Sequence, residues 1–394
     1  MIRDCFFCTR KVEVVFSTKW HLPGLPSCEI GFSICRNCGS VCQSPTVTHN
    51  QMLTFYKTLA VYTNPGRAGQ PSASKVTDLN EQLRFIERGM GRLPNSVLQI
   101  GSSDGYSLSR FKAAGVDRVL GVEPSKSSAD LAQLLYNIET IVNSAEDFKT
   151  DENFELILLT HVLEHLFEPQ KTLDKCLKQQ AQIDEGFIYI EVPLLATVES
   201  LCPGFFAFEH VNYYTRQNLI QSLELTGYSV VSLVEHYNSN LSPVIGVLAS
   251  TKKQKYVDTP LNEFERNKEI LEHYRIRELK SWQQKLNKIL LDLQNQKRLF
   301  LWGAGIHTSQ LLANTNLLKV CKISGLIDGS NLKWGIKQGD WIVKEPNCID
   351  WKRGDAILIS SYASEEEIHE SLAYLRDVGV KTYRLHNYNN SRSH

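Results

Sequence analysis

Two cysteine pairs and one glycine turn carry the clearest chemical signals in this chain. Cys5-Phe-Phe-Cys8 and Cys35-Arg-Asn-Cys38 are C-x2-C knuckles separated by a loop containing Pro23, Gly24 and Pro26. Four thiolates at this spacing can surround one zinc ion tetrahedrally, and so short a segment has too little core to fold without a staple. Structural zinc on Cys5, Cys8, Cys35 and Cys38 is therefore expected over free or redox thiols. A closed four-thiolate site leaves no open position, so this zinc is not expected to do chemistry. Cys28 and Cys42 are spare. The second signal is Ser96-Val-Leu-Gln-Ile-Gly-Ser-Ser-Asp-Gly105, an apolar run that breaks into a small-residue turn and reopens as a helix at 107–111. Gly101 and Gly105 let the backbone take positive φ and approach a ligand, and the helix N-terminus offers unpaired N–H groups. The next apolar run, Arg118-Val-Leu-Gly-Val122, ends in Glu123, close to the usual ~20 residues beyond the first glycine for an acid that grips ribose hydroxyls.

The elements that must hold these groups read as an α/β pattern. Strands are expected at 96–100, 118–122, 139–142, 155–160 and 187–192, with helical segments between them, the rhythm of a parallel sheet. Two further runs, 228–234 and 243–249, are close enough to pair as an antiparallel hairpin at the sheet edge. A reversed terminal strand beside five parallel ones points to methyltransferases rather than dehydrogenases. Residues 45–90 read as helical on either side of Tyr62-Thr-Asn-Pro-Gly-Arg-Ala-Gly-Gln-Pro-Ser-Ala-Ser74, a loop that is either a substrate lid or a plain connector. Residues 259–297 read as an amphipathic helical connector, with Leu279, Trp282, Leu286, Ile289, Leu290 and Leu293 at three- and four-residue steps. A second strand–turn–helix follows at Leu299-Phe-Leu-Trp-Gly-Ala-Gly-Ile-His307, with Asp328 ending the next strand and further strands expected at 356–360 and 381–384. Gly303, Gly305 and Asp328 either receive the nucleotide part of a substrate or belong to a degenerate structural module.

Composition narrows the partners. The 394 residues are enough for two or three domains, and 43 basic residues balance 43 acidic ones. Without a basic excess a nucleic-acid partner is not expected, since phosphate binding needs clustered positive charge. No apolar run reaches transmembrane length and the opening residues lack a signal-peptide core, so a soluble cytoplasmic protein without membrane contact is expected.

The order of these parts resembles a family, the zinc-containing, S-adenosylmethionine-dependent sugar C-methyltransferases that act on nucleotide-linked keto-deoxysugars. Its more specific motifs stand here as His161-Val-Leu-Glu-His165 after the fourth strand and Phe208-Glu-His-Val-Asn-Tyr-Tyr-Thr215 after the fifth. The resemblance implies an α/β fold, with a class I methyltransferase (Rossmann-like) core at 93–250. It places a zinc-binding domain at 1–50, a helical or lid segment at 51–92, a connector at 251–297 and a smaller Rossmann-like substrate domain at 298–394. It assigns Gly101, Ser102, Asp104, Gly105 and Glu123 to the cofactor, with Glu146 or Asp147 near the adenine; His161, directly after the strand, is expected to face the cofactor or support its neighbours. His165 matches an active-site histidine, and Glu209 and His210 match a Glu-His pair whose histidine is the base. Tyr62 and Tyr213 are assigned to the substrate pocket. Ala207 stands where the family often has tyrosine, and Gln99 where an acid is usual.

The residue types suit that chemistry. A carbon nucleophile must lose a proton next to a carbonyl before it can take a methyl group, which requires a base and a group to hold the enolate oxygen. Histidine, with an ordinary pKa of ~6.5, is an apt base. Glu209 would orient His210, His165 would donate to the oxygen, and His161 and His165 would share a helix face. Two other readings stand beside this one: methylation of oxygen or nitrogen on a small metabolite, and a non-catalytic assembly protein whose zinc knuckle and long helix bind partners. The nucleotide sugar would be met by a monomer or homodimer.

Overall fold

Three strands run through the cysteine-rich segment, where the sequence suggests only knuckles and a loop: Val12–Trp20 (β1), Cys28–Cys35 (β2) and Val41–Gln43 (β3). Alternate residues of β2, Ile30, Phe32 and Ile34, are completely buried, which is why this stretch is a strand rather than a loop. The structure, a computed structural model, describes residues 2–59, 71, 73–237, 243–253, 263–361 and 365–386. Its contacts divide the chain into two units, each discontinuous in sequence. One comprises Met1–Val15, Phe32–Thr46 and Ala60–Leu271, the other Phe16–Gly31, Val47–Leu59 and Glu272–His394.

The helix His49–Leu59 (α1) belongs to the second unit; the first unit builds its large sheet after the helix Ala73–Met90 (α2). The elements follow as Ser96–Ile100 (β4), Tyr106–Ala113 (α3), Arg118–Val122 (β5), Lys126–Tyr136 (α4), Thr140–Ile141 (β6) and Leu156–Thr160 (β7). Pro169–Lys178 (α5), Phe187–Pro193 (β8), Asn212–Tyr213 (β9), Arg216–Thr226 (α6), Ser229–Tyr237 (β10) and Pro243–Ser250 (β11) complete it. The sheet order is β10-β11-β8-β7-β4-β5-β6, with β4 to β8 parallel and β11 antiparallel to both of its neighbours. The reversed strand is thus last in sequence but lies inside the sheet, and β10 forms the edge. Central strands such as β7 and β8 are buried on both faces, so they read as unbroken apolar runs. The small strand β9 pairs with β3, Val41 opposite Tyr213 and Cys42 opposite Asn212, which ties the cysteine segment to the chain just past His210.

The helices are punctuated as their sequences dictate. Ser125 caps α4 by accepting from Ser128 N–H, and Thr215 and Asn218 form a capping box on α6. Gly227 ends α6 in the left-handed region at φ 114°.

The second unit holds a smaller sheet. Phe264–Gln294 (α7) leads to Arg298–Trp302 (β12), Ile306–Asn314 (α8), Leu317–Val320 (α9) and Ile323–Ile327 (β13). Lys337–Gln338 (β14), Trp341–Lys344 (β15), Asp355–Ile359 (β16), Glu365–Ser371 (α10), Ala373–Asp377 (α11) and Lys381–Arg384 (β17) follow. The order is β14-β15-β13-β12-β16-β17, so two short strands absent from the sequence reading extend the expected sheet. Trp282, Leu286, Ile289 and Leu293 of α7 are buried in one cluster with Leu299 and Leu301 of β12, as the helical spacing of the connector requires.

Candidate active site

The glycine turn after β4 is built on three left-handed residues. Gly101 has φ 73°, Ser103 51° and Gly105 77°, and Gly105 is the N-cap of α3. A Cβ at Gly101 would stand 2.5 Å from Val162 Cγ2, so only glycine lets the turn lie this close to the segment after β7. Glu123, 8 % exposed at the end of β5, accepts from Ser103 N–H at 2.9 Å and Ser125 N–H at 2.9 Å. Burial raises its carboxyl above the ordinary value, and these two N–H groups oppose the rise. Its oxygens keep lone-pair capacity for hydroxyl donors. Ser102 is buried with its Oγ unbonded, and Asp104 accepts from Tyr106 N–H at 3.2 Å. Glu146 lies in the segment after β6, its carbonyl accepting from Lys175 Nζ at 2.8 Å.

Directly after β7 the chain turns sharply. His161 takes φ 54°, and only Leu163–His165 form a short 3-10 turn. His161 and His165 therefore do not share a helix face as expected. The left-handed residue throws His161 toward Glu191 at the end of β8 and Glu164, with nitrogen–oxygen distances of 3.4 Å to each. Burial alone would lower this imidazole, but the two carboxylates outweigh it and hold His161 up at about 10. Its side chain keeps 37 % exposure, so water screens part of that attraction. Glu191 also accepts from Tyr189 Oη at 2.8 Å and faces His236 of β10 at 3.6 Å. Burial pushes Glu191 up, yet these partners drive it well below the carboxylate range.

Facing this turn is the loop that carries Glu209 and His210. Val211 N–H donates to Glu164 O at 2.8 Å, and Asn212 Nδ2 donates to Leu166 O at 2.7 Å. His165 Nδ1 lies 3.0 Å from Glu209 O; a carbonyl only accepts, so Nδ1 carries the hydrogen and the neutral ring presents Nε2 as a lone pair. The donor role expected of His165 toward a substrate oxygen thus requires its imidazolium form. The His165 and His210 rings meet edge to face with centroids 4.9 Å apart. Burial, then the charge of His165, lowers His210, so its imidazole is neutral at working pH, and its buried Nδ1 has no hydrogen-bond partner. Tyr213 is 2 % exposed, packs at a tilt against Phe206 and donates to Ala207 O at 3.3 Å, which ties it to the loop. Tyr62 lies outside the described residues.

The cysteine segment braces this loop. Gln43 Nε2 donates to Ala207 O at 2.9 Å and Phe208 O at 3.0 Å, and Arg3 donates to Val211 O at 3.1 Å. One sulfur from each of Cys5, Cys8, Cys35 and Cys38 lies within 4.8 Å of all the others. The Cys5–Cys38 and Cys8–Cys35 separations of 3.6 and 3.4 Å are far longer than a disulfide and near the ~3.8 Å edge of a tetrahedron with ~2.3 Å zinc–sulfur bonds. Phe7 and Cys8 N–H groups point at Cys5 Sγ, as a thiolate ligand needs. The four cysteines can hold a metal ion.

In the second unit, Gly303 has φ 115° and a Cβ there would press on Ser360 Oγ at 3.2 Å, whereas Gly305 has φ −160° and open space around it. Asp328 accepts from Ala304 N–H at 2.7 Å and Ser330 N–H at 2.9 Å, the same bridge that Glu123 makes, but Lys333 Nζ also pairs with it at 2.8 Å.

Residues 77–233 match a family model described as a methyltransferase domain. The chain carries a methyltransferase domain. Its strand order and glycine turn make it a class I methyltransferase core of α/β, Rossmann-like build. Residues 295–385, beyond the methyltransferase domain, match a second model described as C2185-like, N-terminal. No curated protein matches the chain in sequence. Similar solved structures include the N-methyltransferase NodS of Bradyrhizobium japonicum WM9 with S-adenosyl-L-homocysteine, 14 % identical over 51 % of this chain and 97 % of that one, TM-score 0.40. Another is the 1,6-didemethyltoxoflavin-N1-methyltransferase of Burkholderia thailandensis, 14 % identical over 59 % and 100 %, TM-score 0.43. Neither likeness bears on the substrate of the methyltransferase domain.

Sequence reasoning gave Glu164 no role although it lies inside the quoted motif, and it missed His236. Nothing local in the sequence marks His236, whose partner Glu191 comes from β8, while Glu164 is surrounded by His161 and His165 of its own turn and by His210 of the facing loop.

Proposed function

We propose that the protein is an S-adenosylmethionine-dependent C-methyltransferase that methylates a carbon next to the carbonyl of a nucleotide-linked 4-keto-deoxysugar, of dTDP, GDP or CDP type. The observation that supports this reading is a neutral, buried His210 beside Glu209 and His165, on a loop hydrogen-bonded to the segment that touches the glycine turn. Methylation of oxygen or nitrogen leaves every carbon-bound hydrogen in place, whereas a carbon nucleophile must first surrender its own proton to a base. His210 takes that proton, the C–H electron pair delocalises onto the neighbouring oxygen, and Glu209 steadies the imidazolium that results. His165, once protonated, holds the oxygen as its charge grows.

Gly101, Ser102, Asp104, Gly105 and Glu123 would hold the cofactor: the turn permits close approach, Ser102 Oγ lacks a partner and Glu123 can receive ribose hydroxyls. When bound, the cofactor would supply an electrophilic methyl group on sulfonium sulfur, with a neutral thioether as the leaving group. Zinc on Cys5, Cys8, Cys35 and Cys38 would hold the brace under the His210 loop. Gly303, Gly305 and Asp328 would receive the nucleotide part in the second unit.

The test is incubation with cofactor and a panel of nucleotide 4-ketosugars, read by mass, with deuterium exchange at the α-carbon. His210→Gln should lower turnover and exchange by about 100-fold or more while keeping cofactor-induced thermal stabilisation. Methyl gain without α-exchange, or none on any ketosugar, would refute the reading.

A further inference from the structure

We infer that Glu164 is a positioning residue whose buried carboxylate lets His165 and His210 carry positive charge at the same time. The inference deepens the proposed function and rests on it, because that reaction needs both rings charged together. His165 holds the enolate oxygen as an imidazolium while His210 keeps the proton taken from carbon. The two rings meet edge to face with centroids 4.9 Å apart. Like charges that close in a desolvated pocket repel strongly, so the second imidazolium forms readily only where an anion lies near both.

Glu164 is that anion. It is 1 % exposed, and a carboxylate oxygen, a His165 nitrogen and a His210 nitrogen all lie within 4.8 Å of one another, with His165 Nε2 at 3.7 Å from Glu164 Oε1. Burial pushes its carboxyl up, but His165, His161 and His210 around it bring it below the ordinary value. Val211 N–H donates to Glu164 O at 2.8 Å and Asn212 Nδ2 to Leu166 O at 2.7 Å, which clamps the short turn to the loop that carries His210. The negative charge is therefore in place before the positive charge develops, as electrostatic preorganisation requires.

His161 does not use this charge up. Its imidazolium is shared, with Nδ1 3.4 Å from Glu164 and Nε2 3.4 Å from Glu191, while His236 faces the other Glu191 oxygen at 3.6 Å. The remaining groups that face His210 are Glu209 beside it on the loop, Tyr213 of β9 with ring centroids 6.4 Å away, and Arg3, whose guanidinium donates to Val211 O. Glu209 adds its charge at His210 from the loop itself, and Glu164 supplies the one that His210 and His165 have in common.

The experiment follows the ring signals of isotope-labelled histidine by NMR through a pH titration of the full-length protein, with His210→Gln used to identify the His210 signals. Glu164→Gln should weaken proton binding at His210 about tenfold or more, moving its titration to lower pH. His161→Gln, which leaves Glu164 to His165 and His210, should move it to higher pH. A His210 titration indifferent to Glu164→Gln overturns the inference. Should Glu164→Gln fail to fold, His161→Gln decides, and a titration that does not rise overturns it. On a ketosugar that the wild type methylates, Glu164→Gln should lower kcat about tenfold or more with KM unchanged, and an unchanged kcat also overturns it. The titration needs no substrate, so its outcome is distinct from a ketosugar panel that gains no methyl group.

Discussion

Gln43 offers the sharpest way to ask whether the cysteine segment serves the catalytic loop. Its side chain is fully buried, donates from one nitrogen to Ala207 O and Phe208 O, and accepts from Thr46 Oγ1 at 2.8 Å. Gln43→Leu keeps the volume and removes three hydrogen bonds. Each contributes about 0.5–1.5 kcal/mol net. Ala207 O keeps Tyr213 Oη as a donor at 3.3 Å, but Phe208 O loses this bond and its desolvation adds about 1–3 kcal/mol. These contributions share one side chain and do not simply add, so a loss of about 2–4 kcal/mol is expected, measured from urea unfolding midpoints. The larger effect should be on chemistry. Phe208 immediately precedes the Glu209–His210 pair, and a displacement of about 1 Å there can lower turnover by about 100-fold. The glycine turn is not touched, so cofactor-induced thermal stabilisation should survive. Stability lost with turnover intact would show that the brace does not position His210. Loss of cofactor binding together with turnover would show that the damage is global.

Two further outcomes are expected. Gly101→Ala must place a Cβ in the left-handed region 2.5 Å from Val162 Cγ2, which should cost about 2–5 kcal/mol from the backbone and the overlap together. Adding Val162→Ala should return part of that loss, and a double-mutant cycle with no coupling would contradict the contact. In the second unit, burial, Lys285 and His307 hold His386 down at about 3, so the fold needs this imidazole neutral. Its ordinary value is ~6.5, so its contribution is complete above that pH and is lost as pH falls from there through about 3. His386→Phe should flatten the acid side of the stability profile measured by urea unfolding between pH 7 and 4; an unchanged slope would refute the assignment.

The parallel strands were legible because a strand buried on both faces reads as an apolar run: β4 and β5 begin and end where the sequence places them. The strands β14 and β15 escaped because two and four residues are too few to show a period. The position of β11 inside the sheet is a long-range pairing that no local pattern encodes. At the site, the glycines at 101 and 105 and the pair at 209 and 210 were visible as motifs. The left-handed backbone at His161 was not, since nothing in His-Val-Leu-Glu-His distinguishes a sharp turn from a helix. Glu164 was silent for the same reason: its meaning lies in the three histidines gathered around it, two of them contributed by its own turn and one by a distant loop.

The placement of β11 also bears on how the chain is made. All eight of its residues are buried, and it inserts between β8 and β10, which do not pair with each other among the described residues. During synthesis, everything from β4 through β10 leaves the ribosome with the apolar flank of β8 still uncovered, a template for stray strand addition. The sheet becomes safe only when Pro243–Ser250 emerges, so translation must pass this point before the methyltransferase domain can close.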